Sequence, residues 1–468
     1  MANFFTPPPA RPLLPAGKID KEYRAMRLKV FLGAFFGYAA YYLVRKNLSL
    51  AAPGMIADGL LDKAGAGFAM AGIPVAYAFS KFIMGSLSDH SDARKFMVTG
   101  LVIASVVMMS AGFIPFGASV AANSSILFVF MLLAGWLSGM GWPPCGRVMA
   151  HWFSQKERSF KMSVWNTSHN VGGGSLALLV SAGIAIFGAM GIAESWRAAF
   201  IFPSAVAMLF ALFCWWTVRD TPESCGLPPV EEYRNDHSGC KAVEGEETKI
   251  PFRRLFIDYV FRNKLLWLIA IANVFVYFVR YGISDWSPTY LQDMAIMNQD
   301  QSRFAFSLFE YAGIPGTIIC GWISSRFFGG RCAPVNVIYM VLVVVGIVAY
   351  WQADAVAGMF GGDWEAARRI VVYSALALIG FAVYGPIALI GIQALSFVPK
   401  NAAGTAAGFV GLFGYLLGDA ILSKIMVGFV AGNGGAGWTA TFWMFLLGSV
   451  AATLICAVTW RKERDGVN

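Results

Sequence analysis

Two arginines stand where a chain this apolar would not keep a charge without a use for it. Between Val30 and Ala57 the only charged side chains are Arg45 and Lys46, and between Leu265 and Gln292 they are Arg280 and Asp285. An unpaired charge at the centre of a membrane helix costs about 2.5–3.5 kcal/mol even on lenient scales, so it is kept for a partner or a pathway. Lys46 and Asp285 could neutralise each other and merely lock two helices together. Arg45 and Arg280 have too few carboxylates for that. A guanidinium fork matches phosphate oxygens with two parallel hydrogen bonds, so the chemistry indicated is capture of an anion between the two arginines.

Helical spacing gathers further candidates around them. Tyr38, Tyr42 and Arg45 fall at i, i+4 and i+7, one face of a helix. Tyr77 and Lys81 share a face, and Lys81 is the sole charge between Ala64 and Ser88. Asn166 and His169 share another, in a segment with no other ionisable group from Met162 to Ala193. A lone histidine in a membrane is as often only hydrogen-bonded to a neighbour. Tyr384 and Tyr415 are the polar marks of two late helices, although an aromatic stripe is more often packing. Gly172, Gly173 and Gly174 read as close helix packing. They do not form a phosphate-cradling loop, lacking a preceding strand and a following Lys-Ser/Thr.

The elements that position these residues must be membrane helices. The chain has 468 residues, 57% of them hydrophobic and 13% charged, about half the usual charged share. Apolar stretches long enough to cross a bilayer are predicted at 30–55, 67–88, 96–115, 123–148, 162–189, 197–217, 265–290, 303–323, 335–353, 370–397, 403–429 and 438–460. The expected organisation is a tail (1–29), a first half (30–217), a polar linker (218–263), a second half (264–460) and a final tail (461–468). The halves look related: Tyr42-Leu-Val-Arg45 recurs as Tyr277-Phe-Val-Arg280, 235 residues on, and Gly85-x-x-Ser88 recurs as Gly321-x-x-Ser324, 236 residues on. Ala71–Pro74 also reappears at Ala312–Pro315, but out of register. The predicted fold class is an all-α integral membrane protein of twelve transmembrane helices in two pseudo-symmetric six-helix halves, with its site between them.

The net charge of +9 fits the positive-inside rule better than nucleic-acid binding. Lysine and arginine concentrate in the first tail, at 89–95, 147–161 and 219–264, and after Trp460. Lys63, Arg197 and Arg303 are exceptions, and Arg368 and Arg369 oppose the pattern. Both termini are therefore expected in the cytoplasm, in a bacterial inner membrane, with no cleavable signal segment. The seven cysteines are scattered without a C-x-x-C pair, which argues against a disulfide framework or a zinc site. Nothing suggests a nucleophile–base constellation; no cofactor and no enzymatic activity are expected.

Longer motifs carry a resemblance. Phe35–Asn47 (FFGYAAYYLVRKN), Gly139–Arg147 (GMGWPPCGR), Trp165–Gly174, Arg219–Pro229, Tyr281–Tyr290 and Gly404–Phe409 look like the corresponding stretches of the organophosphate:phosphate antiporter family of the major facilitator superfamily. The resemblance runs nearly end to end. It implies inward transport of glycerol 3-phosphate in exchange for inorganic phosphate, by a single chain in contact with membrane lipid. It implies phosphate binding by Arg45 and Arg280, with Lys81, Asn166, His169, Tyr277, Tyr384 and Tyr415 close by. Lys46, Asp285 and Glu310 match the family's charged pairs. Two features depart from it: Ser325-Arg326 stands where an acidic residue belongs, leaving a gating contact there open, and Asp419 is an extra acid, inside the cavity or outside it. The alternatives are a membrane sensor of external sugar phosphate on the same fold and a carrier of another ester, such as hexose phosphate.

Overall fold

The computed structural model describes residues 4–192, 194–236, 257, 260–360, 363–398 and 403–464, and among them there are helices and connecting turns but no strand. Span 1 runs through Ala16–Leu43 and Asn47–Ala57, span 2 through Lys63–Met70 and Gly72–Asp89, and span 3 through Ala93–Ala111. Span 4 comprises Val120–Ser138 and Trp142–Trp152, span 5 Gln155–Asn166 and Ser168–Ala189, and span 6 Ala198–Thr217. The second set is Lys264–Asp293 (span 7), Gln299–Phe328 (span 8), Ala333–Trp351 (span 9) and Trp364–Ser396 (span 10). Span 11 covers Ala403–Phe413, Gly414–Met426 and Val427–Ala431, and span 12 covers Gly434–Arg464. Eleven of these twelve qualify on their own as long, apolar crossing helices among the described residues.

The exception is instructive. The sequence predicts an unbroken helix over 30–55, but Val44, Arg45 and Lys46 are non-helical and divide span 1. Away from water, a broken helix survives only if its freed backbone groups find other partners. The Asn47 amide donates to the Leu43 carbonyl at 2.9 Å and to the Ala199 carbonyl of span 6 at 2.7 Å, covering the gap from both sides. Span 11 departs from the α-form too: Gly414–Met426 is wound as a π-helix. Several other helix starts are capped by side chains. Asp62, Asp92, Asn263 and Asp363 accept hydrogen bonds from first-turn amides, and Asn298 with Gln301 forms a reciprocal capping box.

The two sets of six spans meet along three pairings: span 1 with 7, span 2 with 11, and span 5 with 8. At the end away from the termini these seams are tight. Lys63 pairs with Asp293 at 2.6 Å, Ser175 and Tyr311 hydroxyls lie 2.9 Å apart, and Ser307 donates to the Gly174 carbonyl at 2.8 Å. Only glycine fits at position 174, because a Cβ would stand 2.8 Å from the Tyr311 ring. That supports reading the glycine run as close packing.

At the end carrying the termini, the first tail and the start of the linker fold onto the first half. Arg11 N–H donates to the Glu223 carbonyl and Leu14 N–H to the Gly226 carbonyl, both at 2.9 Å, and Tyr23 stacks on Tyr233 at 3.8 Å. Arg147 pairs with Asp220 at 3.0 Å and also donates to the Asp89 carbonyl, fixing the turn after span 2. The matching turn of the second half is closed by Ser324, whose hydroxyl donates to the Arg331 carbonyl at 2.9 Å, while Arg326 lies exposed in the last turn of span 8. The six described cysteines form no disulfide with one another, and five are buried. Cys240 lies outside the described residues.

Candidate functional site

Arg45 and Arg280 are both buried near the seam of the two sets of spans. Arg45, released from the helix by the gap, lies over the Tyr77 ring at 4.0 Å, with Tyr42 at 5.3 Å and Tyr415 at 6.0 Å. Cation–π contacts of this kind stabilise a desolvated guanidinium without neutralising it. Arg280 sits within the unbroken helix of span 7. It donates from Nη1 to the Tyr281 hydroxyl and from Nη2 to the Tyr384 hydroxyl, each at 3.1 Å, while its Nε has no partner. Neither arginine joins an ion pair among the described residues.

The lysines and carboxylates take a different part. Lys46 Nζ lies 2.9 Å from both Asp285 Oδ1 and Glu310 Oε1, and also donates to Ser284 Oγ at 2.9 Å. Asp285 uses its other oxygen on Lys424, which lies 3.5 Å from Asp419. The Tyr384 hydroxyl donates to Glu310 Oε2. A continuous chain of contacts therefore runs Arg280–Tyr384–Glu310–Lys46–Asp285–Lys424–Asp419, crossing from the second set of spans to the first and back. Within this buried cluster four cations (Arg45, Lys46, Arg280, Lys424) face three carboxylates (Asp285, Glu310, Asp419). The two lysines hold all three acids, and the excess positive charge rests on the arginines. That imbalance is what an anion site requires.

The other expected residues divide by position. His169 is buried between Tyr42 and Tyr384, with ring centroids 5.6 and 5.5 Å away, and its Nδ1 faces the Asn166 carbonyl. It thus bridges one tyrosine from each set of spans. Tyr77, Tyr277 and Tyr415 form one cluster, Tyr415 standing 4.9 Å from Tyr77 and 5.0 Å from Tyr277. Tyr38 packs against Tyr42 and Trp165 rather than beside an arginine. Lys81 lies half-buried one turn beyond Tyr77, and Asn166 closes the first segment of span 5.

A small cavity is lined by Arg45, Lys46, Tyr281, Asp285, Asp419 and Lys424, with an apolar wall from Met70, Ile73 and Met131. Arg280 and His169 lie outside its lining. Asp419 therefore faces the cavity, which resolves the alternative left open by the sequence. Lys424 and Tyr281 are site residues that helical spacing does not find. A π-helix turns by roughly 80° per residue against about 100° for an α-helix. Tyr415 and Lys424, nine residues apart, would take opposite faces of an α-helix and share one face here. No metal-binding cluster of His, Cys, Asp or Glu occurs among the described residues.

Comparison with known proteins places this geometry. The Major Facilitator Superfamily profile matches residues 34–423. The chain is 45% identical to the glycerol-3-phosphate transporter of Bacillus subtilis (strain 168), over 99% of both chains. It is 42% identical to the glycerol-3-phosphate transporter of Haemophilus influenzae, over 98% of this chain and 96% of that one. Among solved structures, a point mutant of the nucleoside transporter NupG superimposes with a TM-score of 0.66 at 13% identity, covering 92% of this chain and 99% of that one, which speaks to the fold. The chain belongs to the Major Facilitator Superfamily and, within it, to the organophosphate:phosphate antiporter family.

Proposed function

We propose that this chain imports glycerol 3-phosphate in exchange for inorganic phosphate, by rocking of the two halves about Arg45 and Arg280. The observation that carries the reading is the pair of buried arginines, one from each half, held by tyrosines and left without carboxylates. A phosphate monoester carries about −1.5 to −2 charge at neutral pH, enough to engage both guanidinium groups. Two unit positive charges about 9 Å apart repel by roughly 2 kcal/mol at an effective dielectric near 20. A bound phosphate reverses that repulsion and draws the halves together, and an empty carrier lacks this help. Lys46, Asp285 and Glu310 act as the gate, since their ion pairs join the halves beside the site. The organic part of the ester then faces the cavity next to Arg45, where Asp419 and Lys424 offer polar contacts.

Both termini and the 218–263 linker lie in the cytoplasm in this reading, and the chain works as a monomer in the inner membrane. The relatives named for glycerol 3-phosphate favour this ester over a hexose phosphate or a sensor function. Binding of labelled phosphate to the purified protein tests the site. Glycerol 3-phosphate should displace it at lower concentration than glucose 6-phosphate does. The reverse order would transfer the reading to the hexose phosphate, and displacement by neither would remove the phosphate-ester site altogether. Topology is tested with Cys240 as the single remaining cysteine: labelling by an impermeant thiol reagent from outside intact cells would invert it.

A further inference from the structure

At the end of the bundle away from the termini, a second small cavity lies between the halves. Pro53, Gly54 and Trp196 line one wall; Gln292, Gln299 and Arg303 line the other. Arg303 is 4% exposed, in the first turn of span 8. Its Nη1 donates to Asp300 at 2.9 Å and its Nη2 to Gln299 at 2.8 Å, while its Nε is buried with no hydrogen-bond partner. One N–H of the guanidinium is therefore unused. The Asp300 side chain is itself 79% exposed, so solvent screens its hold on the arginine. Trp196 on the facing wall engages Asp58 at 2.9 Å, which keeps that carboxylate occupied.

The remaining cations at this end have other work. Lys63 pairs with Asp293, Arg197 with Glu194, Arg368 with Asp354 and Arg369 with Glu365, and none of the four lines the cavity. A buried polar group without a partner costs free energy that a ligand can recover. The unpartnered Nε–H of the guanidinium offers a charge-assisted hydrogen bond that a phosphate oxygen accepts. The walls belong to different halves, so the cavity opens to the outside whenever the halves part at this end.

We infer that Arg303 forms an outer vestibule site, which captures the phosphate group of an arriving ester or of inorganic phosphate before it reaches Arg45 and Arg280. This rests on the exchange function proposed above. The site sits on one side of the membrane only, so its signature is sided.

The test is exchange by the full-length protein in right-side-out vesicles, for wild type and Arg303→Gln. The KM for external glycerol 3-phosphate should rise about fivefold at low salt and less at high salt, as expected for a steering charge. It should rise more than the maximal rate falls, with the KM for internal phosphate unmoved. Arg303→Lys should restore part of the loss. An unchanged external KM would overturn the proposal, as would an equal shift of both KM values. If Arg303→Gln does not reach the membrane, Asp300→Asn decides: freeing Arg303 from its carboxylate should lower the external KM, and a rise or no change overturns the site. Wild-type vesicles that exchange nothing would instead count against the proposed function itself.

Discussion

Arg280 sits inside an unbroken helix of 30 residues, whereas Arg45 sits in a three-residue gap between two helices. The two occupy matching places in the repeat and both lie over tyrosine rings, Tyr281 and Tyr384 standing 4.5 and 4.4 Å from Arg280, yet Arg280 adds a directed connection onward. Arg280 is fixed by directed hydrogen bonds to Tyr281 and Tyr384, and Tyr384 passes the connection to Glu310 and so to Lys46. Arg45 is held by the faces of Tyr77, Tyr42 and Tyr415, contacts that tolerate reorientation. Arg280 is thus wired to the ion pairs that join the halves, and in the proposed exchange Arg45 would be the one to follow the ligand. In the proposed exchange a phosphate arriving at Arg280 would compete for the Tyr384 hydroxyl that donates to Glu310, and occupancy would reach the ion pairs through Tyr384.

The sharpest way to break this comparison is to remove the forks. Arg45→Lys and Arg280→Lys should each reduce transport by about a hundredfold or more while leaving the protein folded, because lysine keeps the charge and loses the two-pronged geometry. Near-normal phosphate binding in either variant would move the anion site elsewhere. Next in size is Glu310→Gln, which strips Lys46 of one of its two acids and leaves one neutral amide oxygen to serve both Lys46 and the Tyr384 hydroxyl. Breaking a buried ion pair by removing one partner typically costs about 3–5 kcal/mol of stability. Exchange should fall about tenfold and the thermal midpoint should drop; a midpoint equal to wild type would deny the pair any structural role.

Tyr384→Phe isolates the wire. It removes a hydroxyl that accepts from Arg280 and donates to Glu310, each contact being worth about 1–3 kcal/mol when one member is charged. Transport should fall several-fold, whereas Tyr77→Phe beside Arg45 should do less, since the chain from Arg280 to Glu310 runs through the Tyr384 hydroxyl and leaves Tyr77 out. Equal losses in the two would erase the distinction between a wired and an unwired arginine. The smallest expected effect belongs to His169→Ala, which should alter the pH profile of uptake more than protein expression. An unchanged profile with full activity would return His169 to a packing role between Tyr42 and Tyr384.

Much of this was legible before any coordinates. Hydropathy located the spans, and the isolated charges in apolar helices pointed to Arg45, Arg280, Lys46 and Asp285, because burying a charge is costly wherever it occurs. The Lys46–Asp285 pair and the Glu310 contact both form. What stayed hidden depends on backbone geometry that side-chain periodicity does not encode. The gap at Val44–Lys46 lies within an otherwise helical pattern and is signalled only by Asn47, whose covering role needs the Ala199 carbonyl from another span. Lys424 falls on the wrong face of an α-helix and joins the site because Gly414–Met426 is a π-helix. Tyr281 follows Arg280 directly, a spacing that side chains on a helix do not ordinarily use to meet, although the arginine folds back to reach it.

The central claim is obligatory exchange: the ligand, by spanning Arg45 and Arg280, lowers the barrier to closure that their repulsion raises. Removing roughly 2 kcal/mol of repulsion corresponds to about thirtyfold in rate. The direct measurement is initial uptake of labelled glycerol 3-phosphate into proteoliposomes loaded with inorganic phosphate, against proteoliposomes lacking any internal anion. Phosphate-loaded vesicles should take up the label at least about tenfold faster. Equal initial rates in the two preparations would show uniport or proton coupling, and would contradict closure driven by the bound anion.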